Sequence, residues 1–423
     1  MSNRTLTAPP SRLLSPRRKT TAATDIAGLA REQLAHFHLD PDSAVGAPLQ
    51  RLAEKLYAAH DDLTALWSAT LQELARLPRG DRLMLFNAQK FLAFQLAKLL
   101  DQLQNPTRAV HQSLGHSAAT TLAKGPYPTF DNVAALFSAN PVITRTATYI
   151  FACTEWIDDA FQGREFLHEI YSRLLNPTSI SLANHIVDLE AGPRAAEYLA
   201  WNFNSGMAAI DALLAHLVGW EDVVLASRHI YGGTYQLLHD WYARKSNLNV
   251  ALEFFDGATA AEFGRALAGV QARHAERLAR GRAIYVFLES PCNPHGMFLD
   301  TPGICRGAHA AGLTVMLDAT VGTPFLVQPL QRPAPEERPD FVIHSYTKDL
   351  VGEGNTTAGV VIGRNVDMFM PKGDPGWEHT LFWNVYYIKG AFLDSDKAFE
   401  VLSGMKTLEL RMLKKCINTA ILA

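Results

Sequence analysis

Little in this sequence supports a disulfide framework, a zinc site or a membrane segment. Four cysteines in 423 residues (Cys153, Cys292, Cys305, Cys416) stand far apart with no CxxC pair. That spacing argues against a zinc knuckle or a disulfide scaffold and fits a reducing cytoplasm. No apolar run is long enough to cross a bilayer, and no signal-peptide core is present. A formal net charge of −3 gives no reason to expect nucleic acid or an anionic membrane as partner. The first two dozen residues hold no acid before Asp25 and are rich in Ser, Thr, Pro and Arg. They read as a disordered tail over 1–24, with an organelle-targeting leader as the alternative.

What is present is ordinary for a globular chain: 48% hydrophobic and 19% charged residues. The length predicts two or three domains. Over 25–105 the segments AGLAREQLAHF, PLQRLAEKLYAAH, LTALWSATLQELARL and FNAQKFLAFQLAKLLDQL repeat apolar residues at three- and four-residue spacing, a helical module without a chemical constellation. Further on, the β-branched runs DVVLAS (222–227), AIYVFLE (283–289), LTVMLD (313–318), FVIHS (341–345) and AGVVIG (358–363) alternate with helical stretches. Alternation of this kind predicts βαβ units and a largely parallel sheet covered on both faces.

Ligands in such sheets sit beyond the carboxyl ends of the strands. Asp318 ends one strand, Asn293 follows another, and Ser345, Thr347 and Lys348 follow a third. A lysine there is ordinarily solvated surface, but one beside two hydroxyls and a strand-end acid is a candidate reactive amine. The segment NSGMAAIDALLAHL puts Ser205, Gly206 and Met207 at a helix start, where backbone amides can hold an anion, although Ser-Gly there is more often a plain cap.

Six motifs then occur in order: YSRLLNPT (171–178), NSGMAAI (204–210), YGGTY (231–235), ESPCNP (289–294), LDATVGTP (317–324) and HSYTKDL (344–350). Together with the later FEVLSGMKTLELRM, the stretch resembles the transsulfuration (Cys/Met metabolism) family of enzymes dependent on pyridoxal 5′-phosphate (PLP). The resemblance implies an aspartate-aminotransferase-like (fold type I) large domain over 171–390. An arm or linker over 106–170 would precede it, and the start of a C-terminal domain over 391–423 would follow. It also implies roles. Lys348 is similar to the Schiff-base lysine and Asp318 to the acid facing the pyridine nitrogen. Tyr231 is similar to the ring that stacks on the cofactor, with or without a general-acid role. Ser205, Gly206, Met207, Ser345 and Thr347 resemble the phosphate cradle, and Asn293 the residue near the phenolic oxygen. Tyr171 and Arg173 resemble the pair that reaches a neighbouring subunit's phosphate, which implies a homodimer or homotetramer with shared sites.

The implied chemistry is elimination at the γ- or β-position, or γ-replacement, on a methionine, homoserine-ester or cystathionine type of substrate. YGGTYQLL and GEGNTTAG resemble the O-acetylhomoserine sulfhydrylase and methionine γ-lyase branches more than the cystathionine synthases. Three departures accompany the resemblance. Ala319 stands where the family has Asn, and roughly a hundred residues precede the first family-like segment, a weaker similarity that begins near TRAVHQ (107–112). The chain also stops at Ala423, where the family's small domain, bearing the arginine for the substrate carboxylate, would be starting. That last point leads us to expect a C-terminal domain missing or cut short. The alternative reading is a catalytically inactive homologue that folds and oligomerises. A nicotinamide-dependent dehydrogenase is disfavoured, because GEGNTTAG supplies two of the three fingerprint glycines and comes late in the chain.

Overall fold

The computed structural model describes residues 23–78 except Phe37, 140–149, and 171–423 except Pro371, with isolated positions between 79 and 170. The described residues form two compact units, one ending at Val142 and the other running from Ile143 to Ala423.

In the first unit, helix α1 (Ile26–His36) packs against helix α2 (Gly46–Arg76). Asp25 starts α1 by accepting from the Gly28 amide at 2.7 Å. The two central segments of the expected module are one helix of 31 residues, because no Gly or Pro interrupts the chain from Leu49 to Arg76. Most of the segment FNAQKFLAFQLAKLLDQL and most of 106–170 lie outside the described residues.

The second unit is built on a seven-stranded sheet: β1 (Tyr198–Phe203), β2 (Val223–Ser227), β3 (Ala251–Phe255), β4 (Ile284–Glu289), β5 (Thr314–Asp318), β6 (Phe341–Ser345) and β7 (Gly359–Arg364). The spatial order is β1-β7-β6-β5-β4-β2-β3. The contacts among β2, β3, β4, β5 and β6 are parallel, whereas β7 runs antiparallel to both β6 and β1. The expected α/β class and mostly parallel sheet are therefore present. Strands β1 and β3 are additions that the apolar-run reading did not pick out.

Strand side chains alternate between faces. Val223, Leu225, Val286, Leu288, Val315, Leu317 and Val342 belong to one apolar layer. Val224, Ala226, Phe287, Met316 and Ile343 belong to the other. Both faces are buried, which is why these strands read as continuous apolar runs.

Helix α3 (Pro177–Ala191) covers the first layer and helix α4 (Gly206–Leu217) the second. After β2 comes α5 (Gly232–Gln236), a short helix that runs into a wider π-helical turn over Leu237–Tyr242. Helices α6 (Ala260–Arg273) and α7 (Thr301–Ala310) complete the crossovers on the α3 side. Near the end of the chain, α8 (Ser395–Met405) packs on α3, and α9 (Leu408–Leu422) buries Leu408 and Met412 in the same layer. No helix among the described residues is long and apolar enough to cross a membrane.

Candidate active site

Strand alternation decides which strand-end side chains meet. Glu289 follows Phe287, Asp318 follows Met316, and Ser345 follows Ile343, so all three face the layer covered by α4. Glu289 and Asp318 are direct partners in the β4–β5 register. Both are buried, at 3% and 6% exposure.

Burial, and then the neighbouring Asp318, push the Glu289 carboxyl up to about 7. Burial likewise raises Asp318 above the usual carboxylate range. No described Lys or Arg contributes to holding either acid ionised. Asp318 Oδ1 accepts from the Thr320 amide at 3.0 Å, and Thr320 Oγ1 accepts from the Ser345 amide at 2.8 Å. One threonine thus joins the ends of β5 and β6.

Glu289 accepts at both oxygens. Oε2 takes the Tyr231 amide at 2.5 Å and Oε1 the Asn293 amide at 2.8 Å. Tyr231 is 40% exposed, and its ring leans over Gly233, where a side-chain carbon would stand 2.6 Å from Tyr231 Cε1 and 3.1 Å from Met207 Sδ. Asn293 is exposed beyond β4.

The amino end of α4 abuts the end of β6. Ser205 caps the helix by accepting from the Ala208 amide at 3.1 Å, and the amides of Gly206 and Met207 precede the helical ladder. A side chain at Gly206 would place a carbon 2.7 Å from Ser345 Cβ, so glycine is what permits this approach. Across the same seam, a carbon on Gly359 would stand 2.3 Å from Ser205 O.

Lys348 is exposed in the turn after β6. Thr347 Oγ1 accepts from the Ala358 amide at 3.0 Å and donates to Ala358 O at 3.2 Å, fixing that turn to β7. From α9, Arg411 donates to Asp349 O at 2.5 Å, Leu350 O at 3.3 Å and Gly404 O at 2.9 Å. Lys415 pairs with Asp349.

Tyr231, Asn293, Asp318, Ser345 and Gly206 are thus linked in one path through Glu289 and Thr320, while Thr347 and Lys348 lie in the turn that follows Ser345. Tyr171 and Arg173 are engaged elsewhere. The Arg173 guanidinium lies 5.3 Å from the Tyr171 ring centroid and 5.8 Å from that of Tyr387, and donates to Tyr387 O at 2.5 Å. Residue-by-residue reading passed over Glu289, Thr320, Gly359 and Arg411. All four lie inside quoted motifs: Glu289 opens ESPCNP, Thr320 sits in LDATVGTP, Gly359 ends GEGNTTAG, and Arg411 is in LELRM.

These groups fit the cofactor that the resemblance implies. Two buried acids with no described Lys or Arg beside them suit a cationic ring nitrogen. The side-chain-free approach at Gly206, with free amides at the start of α4, suits a phosphate. An exposed aromatic face suits a planar ring.

The family model described as Cys/Met metabolism PLP-dependent enzyme matches residues 129–423. An L-methionine gamma-lyase from Pseudomonas putida is 34% identical over 285 residues, which cover 67% of this chain and 62% of that protein. An O-acetyl-L-homoserine sulfhydrylase from Leptospira meyeri is 28% identical over 297 residues, covering 63% of this chain and 61% of that one. The chain therefore spans less than two thirds of the length of either relative. Among solved structures, a putative O-acetylhomoserine (thiol)-lyase from Campylobacter jejuni, holding N′-pyridoxyl-lysine-5′-monophosphate, is similar with a TM-score of 0.51 and 26% identity. That match covers 64% of this chain and 67% of that one.

Proposed function

Because the chain belongs to the Cys/Met metabolism PLP-dependent enzyme family and has the fold type I architecture, we propose that it carries out elimination at the γ- or β-position, or γ-replacement, on a sulfur-containing or activated homoserine amino acid. The observation that carries this reading is the convergence at one sheet rim of Asp318, the Tyr231–Glu289–Asn293 group and the seam between Gly206 and Ser345. The Lys348 turn follows that rim directly.

The cofactor, once bound, supplies an electron sink that stabilises negative charge at the substrate's Cα. Lys348 is the amine that holds it and afterwards moves the Cα proton. Asp318, buried against the α4 layer, keeps the ring nitrogen protonated. Tyr231 presents its face to the ring, with its hydroxyl available to a leaving group. The amides of Gly206 and Met207, with Ser205, Ser345 and Thr347, would hold the phosphate, and Asn293 would serve the phenolic oxygen. Tyr171 and Arg173 serve the site of a second copy, so the working form is a homodimer or homotetramer. We place it in the cytoplasm, with small-molecule amino acids as substrates.

The test is an incubation of the PLP-loaded protein with methionine, cystathionine and O-acetylhomoserine, the last with and without a thiol. A 2-oxo acid with ammonia marks elimination, and a new thioether amino acid marks replacement. Cofactor binding with no product from any of these would favour the inactive homologue.

A further inference from the structure

We infer that Glu289 is a positioning residue that ties the Tyr231 segment to the Asn293 segment, holding the stacking ring and the cofactor-facing amide in place before the cofactor arrives. This rests on the roles proposed above for Tyr231 and Asn293.

Glu289 ends β4 with its side chain 3% exposed. An acid so placed ordinarily pairs with a cation. Here each carboxylate oxygen instead receives one backbone amide, from residues 58 positions before and four positions after it. The two segments share no strand, since the first follows β2 and the second follows β4. Strand β4 itself is held across the sheet, where Glu289 faces Asp318 and the Ser290 amide donates to Asp318 O at 3.1 Å. The tie is thus anchored to the strand that carries the ring-nitrogen acid.

Tyr231 is held by its amide, which donates to Glu289, and its ring lies close over the bare Gly233. Asn293, by contrast, has an exposed side chain, and its amide is bound to Glu289. Glutamine keeps one acceptor and turns the other into a donor, so it can satisfy one amide only. Methionine fills a similar volume and satisfies neither. Backbone donors left without an acceptor at a buried site open more readily.

The experiment is hydrogen-exchange mass spectrometry on the cofactor-free full chain, comparing wild type with Glu289→Met and Glu289→Gln. It is followed by titration of each protein with PLP, reading affinity and the visible circular dichroism of the bound cofactor. In E289M, peptides over 229–236 and 290–297 should both exchange about tenfold faster. In E289Q at least one should, and in both variants β6–β7 peptides should keep their wild-type rates. PLP affinity should fall about tenfold, with a weaker dichroic band. Should E289M fail to fold, E289Q carries the test. Unchanged exchange at both segments in a folded variant would overturn the tie. Faster exchange with wild-type affinity and dichroism would overturn the positioning role. Wild-type protein that takes up no PLP would sink the proposed function instead, while the exchange data still decide the tie.

Discussion

Glu289 and Asp318 stand opposite each other at the carboxyl ends of β4 and β5, two buried acids in direct register. Their proximity has a consequence for pH. The Glu289 carboxyl is pushed from 4.5 up to about 7, first by burial and then by Asp318. The folded chain therefore keeps a proton that the unfolded chain releases near 4.5. The associated stability is complete below that pH and is lost as the pH rises through about 7. Urea midpoints of the cofactor-free protein should thus be higher at pH 5 than at pH 8, and Glu289→Gln should flatten that difference. A wild-type dependence unchanged in the variant would contradict the assignment.

Arg411 holds the turn that contains Lys348. Its guanidinium reaches the carbonyls of Asp349 and Leu350, and its Nε donates to Thr407 Oγ1 at 3.0 Å. Arg411→Ala removes charge-assisted bonds to a turn otherwise held by Thr347 on Ala358 and by Lys415 on Asp349. It should destabilise the fold by about 2 kcal/mol and slow cofactor capture at Lys348. Denaturant unfolding and stopped-flow mixing with PLP measure the two effects.

The approach of α4 to β6 depends on Gly206. Gly206→Ala brings a carbon within 2.7 Å of Ser345 Cβ, so the helix start must shift away from the β6 end. We expect PLP affinity to fall about tenfold or more, consistent with losing one charge-assisted hydrogen bond. Equilibrium dialysis measures it, and unaltered affinity would count against a phosphate at this seam.

On the opposite face, His344 Nε2 and Glu190 Oε2 lie 2.9 Å apart, both side chains fully buried. His344 Nδ1 and Glu190 Oε1 have no partner among the described residues. Removing the carboxyl through Glu190→Ala strands the imidazole and opens a cavity under β6. The expected loss is about 3 kcal/mol, read from urea unfolding.

The sequence shows most clearly those elements whose burial is uniform. Strands β2, β4, β5, β6 and β7 lie within the sheet with both faces covered, so each shows three or more consecutive apolar residues. Strand β1, YLAWNF, is fully buried but contains Asn202, whose amide donates to Ser179 O at 2.7 Å. Nothing local shows that such a polar residue is satisfied. Strand β3, ALEFF, is a half-buried edge whose existence depends on pairing with β2. The site followed the same logic. Asp318, Asn293 and Lys348 are visible as strand-end residues, whereas Glu289 ends an apolar run and gains its meaning only from amides in two separate segments.

In the proposed function, Lys348 holds the cofactor. The direct measurement is a visible spectrum of the PLP-loaded protein before and after borohydride, with the reduced product mapped by peptide mass spectrometry. The expected result is a band that reduction abolishes and a pyridoxyl group on Lys348, both absent in Lys348→Ala. A pyridoxyl group on another lysine, or no band after incubation with PLP, would contradict it.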